Sequence, residues 1–209
     1  MNVQLKCNCG ALRGVASGIS KSNGNRIVCM CDDCQAYAHF LGRAKEVLDD
    51  NGGTDVFPVT PSNLKITQGI ENLKCLRLTD KGMIRWYAGC CKTPIANSMP
   101  SPRVPFAGVI HTIMNHAGDT KTRDDALGPV RARVQGKYGV GKLPQDAYQT
   151  APLGVIFSTI RFLLIAWIKG QHTPSPFFDS NTGKPKVKPY VLTSTERENL
   201  RKFCGPKPS

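Results

Sequence analysis

Apolar and polar residues alternate in short runs along the first half of the chain. Val3, Leu5 and Cys7 share one parity, and so do Leu64 and Ile66. Side chains at i and i+2 lie on one face of a strand, so these runs predict half-buried strands. Leu73-Lys74-Cys75-Leu76-Arg77-Leu78, the turn Thr79-Asp80-Lys81-Gly82 and Met83-Ile84-Arg85-Trp86-Tyr87 together predict a hairpin. Ser22-Asn23-Gly24-Asn25 and Asp50-Asn51-Gly52-Gly53 mark two further turns. Short strands broken by frequent turns predict a small sheet assembly whose thin core a metal would reinforce.

The pattern changes after Pro100, Pro102 and Pro105, which place a boundary between a β-rich unit at 1–100 and an extension at 101–209. From Gly154 to Ile168 the chain is almost wholly apolar, with Ile156, Ile160, Leu163, Leu164 and Trp167 on helical spacing. That run is too short to span a bilayer and has Arg161 at its centre. It predicts an amphipathic helix packed on the core or on a partner, with an oligomer as one outcome, in preference to a helix lying on a membrane surface. A polar, basic segment occupies roughly 117–145 and a Pro/Lys-rich one 174–189. A last helix begins at a Ser194 or Thr195 cap, runs through Arg197, Leu200 and Phe203, and stops at Gly205-Pro206. The fold class expected is mainly β, with one or two helices in the extension and no internal repeat.

Charge sharpens this division. Lys and Arg number 28 against 15 Asp and Glu, a formal net charge of +13. Residues 1–100 hold 12 basic and 8 acidic side chains, and 101–209 hold 16 and 7, so the excess belongs mainly to the extension. Nucleic acid, acidic surfaces and anionic small molecules are the partners such a balance admits. Arg131, Arg133, Lys137 and Lys142 form one basic stretch and Lys184, Lys186 and Lys188 another, with Tyr138 and Tyr190 placed to stack on bases. A solvated face is the commoner meaning of such runs. Gly136 to Lys142 superficially matches a phosphate loop, but Leu143 and Pro144 stand where Ser/Thr and a helix are required.

Nine cysteines carry the chemistry. Met1 to Lys6 lacks the apolar region of a secretory signal, so a reducing, cytoplasmic location is expected. There, Cys-x-Cys spacing reads as metal binding before it reads as a disulfide framework. Cys7-Asn8-Cys9-Gly10 is one turn able to present two thiolates, with Gly10 free to take positive φ. Cys29, Cys31 and Cys34 supply three more within six residues, and Cys90-Cys91 closes the predicted hairpin. Iron–sulfur sites favour wider spacings, and zinc fits these turns better. Cys75 and Cys204 stand apart and read as small buried hydrophobes.

The order Cys-x-Cys-Gly, then Cys-x-Cys-x-x-Cys, then an aromatic-led cysteine motif ending in Thr93-Pro94-Ile95 resembles the glutathione-dependent formaldehyde-activating enzyme family, which includes the centromere protein V type of domain. The likeness covers roughly residues 3–98. It implies a β-tent fold with two zinc ions. Cys7, Cys9 and Cys91 map to the structural zinc, and Cys29, Cys31 and Cys34 to a second zinc with an exchangeable position. The family's last motif is Phe-Cys-x-x-Cys-Gly, whereas this chain reads Tyr87-Ala88-Gly89-Cys90-Cys91-Lys92. Either Cys90 replaces the missing ligand, which needs a turn at Gly89, or the structural site has three thiolates. His39, five residues after Cys34, either closes the second site or packs elsewhere.

Two functions follow. One is carbon–sulfur lyase chemistry of the formaldehyde-activating type on a small thiol or its glutathione-like adduct at the Cys29/Cys31/Cys34 zinc, with Asp32 and Asp33 as proton carriers or simple N-cap charges. The other is a non-catalytic, zinc-stabilised module that binds nucleic acid or protein through the basic half. No nucleophile is assigned. His111, His116 and His172 lack cysteine spacing and are expected in solvent.

Overall fold

The computed structural model describes residues 1–21, 25–115 and 123–206. The expected turn at Ser22-Asn23-Gly24 and the side chain of His116 lie outside the described residues. The fold is mainly β and consists of two sheets. Along the chain run strands β1 (Val3–Lys6), β2 (Arg13–Ala16) and β3 (Ile27–Cys29), then helices α1 (Asp32–Phe40) and α2 (Ala44–Val47). Strands β4 (Thr54–Val59), β5 (Leu64–Gln68), β6 (Leu73–Arg77), β7 (Ile84–Ala88), β8 (Pro94–Ser98), β9 (Ala107–Ile110) and β10 (Met114–Asn115) follow. Helix α3 (Arg123–Leu127), strand β11 (Ala132–Val134), helix α4 (Leu153–Ile168), strand β12 (Tyr190–Val191) and helix α5 (Ser194–Arg201) complete it.

The smaller sheet is antiparallel in the order β10-β1-β2-β5, with Leu5 opposite Gly14. The larger has eight strands in the order β11-β3-β4-β9-β8-β7-β6-β12. Its inner pairings are antiparallel, whereas β11 and β12 add in parallel to β3 and β6 at the two edges. Strands from beyond residue 100 thus enter both sheets.

The period-2 pattern sorts β7 cleanly. Ile84, Trp86 and Ala88 enter the core cluster shared with Val3, Leu5 and Leu12 of the smaller sheet's side. Arg85 and Tyr87 point the other way, toward α1, where Tyr37, Leu41, Leu76 and Ile110 form a second cluster. The large sheet is therefore covered on both faces. Phe177 returns from the C-terminal segment to stack on Trp86, ring centroids 4.7 Å apart, and the Trp86 indole N–H donates to Ser98 Oγ.

The final helix starts one residue before the expected caps. Thr193 Oγ1 accepts from the Glu196 N–H, and the Glu196 carboxylate accepts from the Thr193 N–H, a reciprocal capping box. Helix α4 forms where its periodicity places it, but with the other face inward. Ile156, Ile160, Leu164 and Trp167 are 41, 50, 55 and 60% exposed, and Ala166 is the buried residue. The helix is apolar nearly all round, so spacing alone does not select which stripe meets the body. No described helix is long and apolar enough to cross a membrane.

Candidate metal centres

The first centre joins the end of β1 to the corner between β7 and β8. After Lys6 the chain turns tightly, with the Gly10 N–H donating to the Cys7 carbonyl at 2.8 Å and Gly10 at φ +78°. This aims the Leu12 N–H at Cys7 Sγ, 3.2 Å away. At the other corner the Lys92 N–H donates to the Ala88 carbonyl and the Ala88 N–H to the Thr93 carbonyl. The left-handed residue there is Lys92, at φ 57°, rather than Gly89. This turn lets neighbouring Cys90 and Cys91 face one point, which an extended strand forbids.

Cys7, Cys9, Cys90 and Cys91 bring four sulfurs within 4.8 Å of one another. The individual separations are 3.6 Å for Cys7–Cys9, 3.8 Å for Cys7–Cys90, 3.3 Å for Cys9–Cys90 and 3.8 Å for Cys90–Cys91. Four thiolates about 2.3 Å from zinc form a tetrahedron with edges of about 3.8 Å, so this donor set fits a tetrahedral soft metal. The outer shell is built as well: Arg43 donates twice to the Cys91 carbonyl and pairs with Glu46, which accepts from Asn8.

Charge is shared unevenly within this cluster. Burial pushes the Cys7 and Cys90 thiols up, and hydrogen bonds to neighbouring thiols add to this. Burial acts upward on Cys91 too, but the Thr93 hydroxyl and the Cys9 and Thr93 N–H groups outweigh it and bring Cys91 down to about 6. Negative charge is thus favoured at Cys91 and disfavoured at Cys7 and Cys90. A divalent cation removes that restriction.

The second centre is smaller. Cys29 ends β3, Cys31 caps α1 with its sulfur accepting from the Cys34 N–H at 3.4 Å, and Cys34 sits in the first helical turn. Their three sulfurs also lie within 4.8 Å of one another. Cys34 is buried, while Cys29 and Cys31 are half-buried. Thiol hydrogen bonds from Cys29 and Cys31 hold Cys34 well below the ordinary thiol range against the effect of burial, and Arg85 adds to the depression. Cys29 and Cys31 are raised in turn, and the α1 N-terminus favours negative charge at this cluster.

Arg85 is the residue that sequence reasoning missed. Its side chain is 4% exposed, with Nη1 3.7 Å from Cys34 Sγ and 3.2 Å from Asn97 Oδ1, and Nη2 3.6 Å from Asp33. The guanidinium lies 5.5 Å from the Tyr37 ring centroid. Asp33 and Asp32 are both held by Arg197 of α5. In the sequence Arg85 sits on the parity opposite Ile84 and Trp86, as an outward polar position would, and only α1 packed over that face gives it meaning.

Other expected residues have different surroundings. His39 is not among the clustered donors; its ring stacks on Phe203, centroids 5.1 Å apart. Five helical residues from Cys34 turn it to another side of α1. Cys75 is buried and Cys204 half-buried, the latter with its thiol on the Asp32 and Leu200 carbonyls. His111 and His172 depart from the solvent exposure expected of them. His111 is half-buried beside the Asp55 carbonyl, and His172 Nδ1 is buried without a hydrogen-bond partner. Of the stacking candidates, Tyr138 is covered by Lys137, and Tyr190 stacks on Phe40 and donates to Glu196. Arg133 pairs with Asp49 and Asp146.

Fold and site together define a mainly β protein with two thiol clusters able to hold metal ions. Residues 1–188 match the family described as "Family of unknown function (DUF6151)", and the chain belongs to that family. No curated protein matches it. Among solved structures it is similar to a Rhodobacter sphaeroides protein from a structural genomics programme, at 20% identity and a TM-score of 0.40, over 62% of this chain and 97% of that one.

Proposed function

We propose that this is a two-zinc β-tent protein resembling the formaldehyde-activating enzymes, with a structural ion on Cys7, Cys9, Cys90 and Cys91 and thiol chemistry at Cys29, Cys31 and Cys34. The observation that carries the reading is the contrast between the centres. The first has four converging sulfurs, whereas the second has three and no further His, Cys or carboxylate donor among the described residues. A closed four-ligand set is the structural pattern, and three ligands leave a coordination position for a substrate. Zinc there would lower the pKa of a substrate thiol and act as a Lewis acid.

The chain's own groups fit that role. Three thiolates on a divalent cation leave one negative charge, and the buried Arg85 guanidinium stands beside Cys34 to balance it. Cys29 and Cys31 are half-buried and so less enclosed than Cys34. The addition expected by resemblance joins a thiol sulfur to an aldehyde carbon while the thiol proton passes to the carbonyl oxygen. The basic balance of the chain suits a substrate with carboxylates, as glutathione has.

Adduct formation from glutathione and formaldehyde, followed by NMR exchange with zinc-loaded protein, tests this. Acceleration that Cys31→Ser abolishes supports the lyase reading. No acceleration by protein containing two zinc ions removes it and leaves a zinc-stabilised binding module as the function. The nucleic-acid form of that alternative has less to stand on, since Tyr138, Tyr190 and Arg133 already have intramolecular partners.

A further inference from the structure

Helix α4 presents an apolar ridge to solvent. At about 100° per residue, Leu153, Ile156, Phe157, Ile160, Leu164 and Trp167 fall in one arc of about 100°, which Ile168 widens to about 120°. Every one of them is exposed, Leu153 and Phe157 at 82 and 78%. Ala166 and Phe162 lie on the opposite side, toward the body. Exposed Arg161 sits just outside the arc and Lys169 follows the last turn. The chain has no acidic residue between Asp146 and Asp179. Along the inner flank of α4 runs a groove of about 410 Å³ whose charged lining is Arg131 and Arg161, with no carboxylate.

We propose that this ridge docks on an anionic phospholipid bilayer, with α4 lying flat in the interface. The apolar arc enters the boundary between headgroups and acyl chains, and Arg161, Arg131 and Lys169 meet lipid phosphates. A sixteen-residue helix is about 24 Å long, short of the ~30 Å hydrocarbon core, so it lies on the membrane rather than across it. Trp167 and Phe157 are side chains that settle at that depth. Charge selects lipid over a second copy of this chain. Two molecules of net charge +13 would meet with no carboxylate on α4 to offset the repulsion, whereas anionic headgroups complement it.

The test is co-sedimentation of the full, zinc-loaded chain with vesicles of phosphatidylcholine containing phosphatidylglycerol, and with pure phosphatidylcholine. Binding to the anionic vesicles, weakened by salt and accompanied by a blue shift of tryptophan emission, is expected. Trp86 is fully buried, so Trp167 reports the change. Replacing exposed Phe157 and Leu164 by Glu should weaken binding by about a hundredfold or more, with metal content unchanged as the check on folding. No binding to anionic vesicles, or equal binding by the double variant, overturns the proposal. A wild-type dimer that the double variant dissolves also overturns it, and assigns the ridge to a second copy.

Discussion

Replacing Arg85 by Met keeps much of the side-chain volume and removes the charge behind the second centre. The guanidinium is 4% exposed and its Nη1 lies 3.7 Å from Cys34 Sγ. At an effective dielectric of ~20, a unit charge pair near that distance attracts by about 4 kcal/mol. Asp33 would keep Arg197 as a partner, but Asn97 Oδ1 would lose its Arg85 donor and Cys34 the cation beside it. Removing one member of a buried pair commonly costs about 3–5 kcal/mol, and removing an outer-shell group lowers metal affinity by about 10–100-fold. Arg85→Met is therefore expected to lose both, with the affinity loss confined to one of two sites. Arg85→Lys should fall between, because one ammonium cannot serve Cys34, Asn97 and Asp33 together. Urea unfolding of zinc-loaded protein gives the stability, and competition with a chromogenic chelator gives the two affinities. If Arg85→Met left both affinities and stability within about 0.5 kcal/mol of wild type, the charge-balancing role of Arg85 would be refuted.

Asp55 is 8% exposed and accepts from both Arg26 and Arg123. Burial alone would raise its carboxyl, but the two arginines hold it below the usual range. A depressed folded pKa adds stability above the unfolded value of about 3.9 that is lost as pH falls through the lower folded value. The urea midpoint should therefore drop below about pH 4, and Asp55→Asn should cost about 3 kcal/mol at neutral pH and lack that acid step. Phe177→Ala removes the ring stacked on Trp86 and should cost about 3–5 kcal/mol. A thermal melt within a degree of wild type would show that the C-terminal segment is not tied to the core through this pair.

The sequence made the cysteine groups legible because their spacing is local: two residues apart, three within six, two adjacent. The β6–β7 hairpin was legible for the same reason, and its register pairs Cys75 with Trp86. That the Cys7 turn meets the Cys90 corner depends on long-range packing, and only the family resemblance anticipated it. The turn at Cys90 rests on a left-handed Lys92, a residue with no turn signature, whereas the sequence signal for a turn is at Gly89. Helix α1 has no clear signature in the sequence because Asp32 to Phe40 has a weak apolar stripe and its first turn is spent on thiols. Without α1 over that face, Arg85 looked like an ordinary polar position in a half-exposed strand. The parallel edge strands β11 and β12 join residues more than a hundred positions apart, which no local pattern encodes.

Metal content per chain, by elemental analysis of wild type and Cys31→Ser, tests the central claim most directly. Two zinc ions in the wild type and one in the variant, with the fold retained, are the predicted result. One zinc or none in the wild type would contradict the two-centre account.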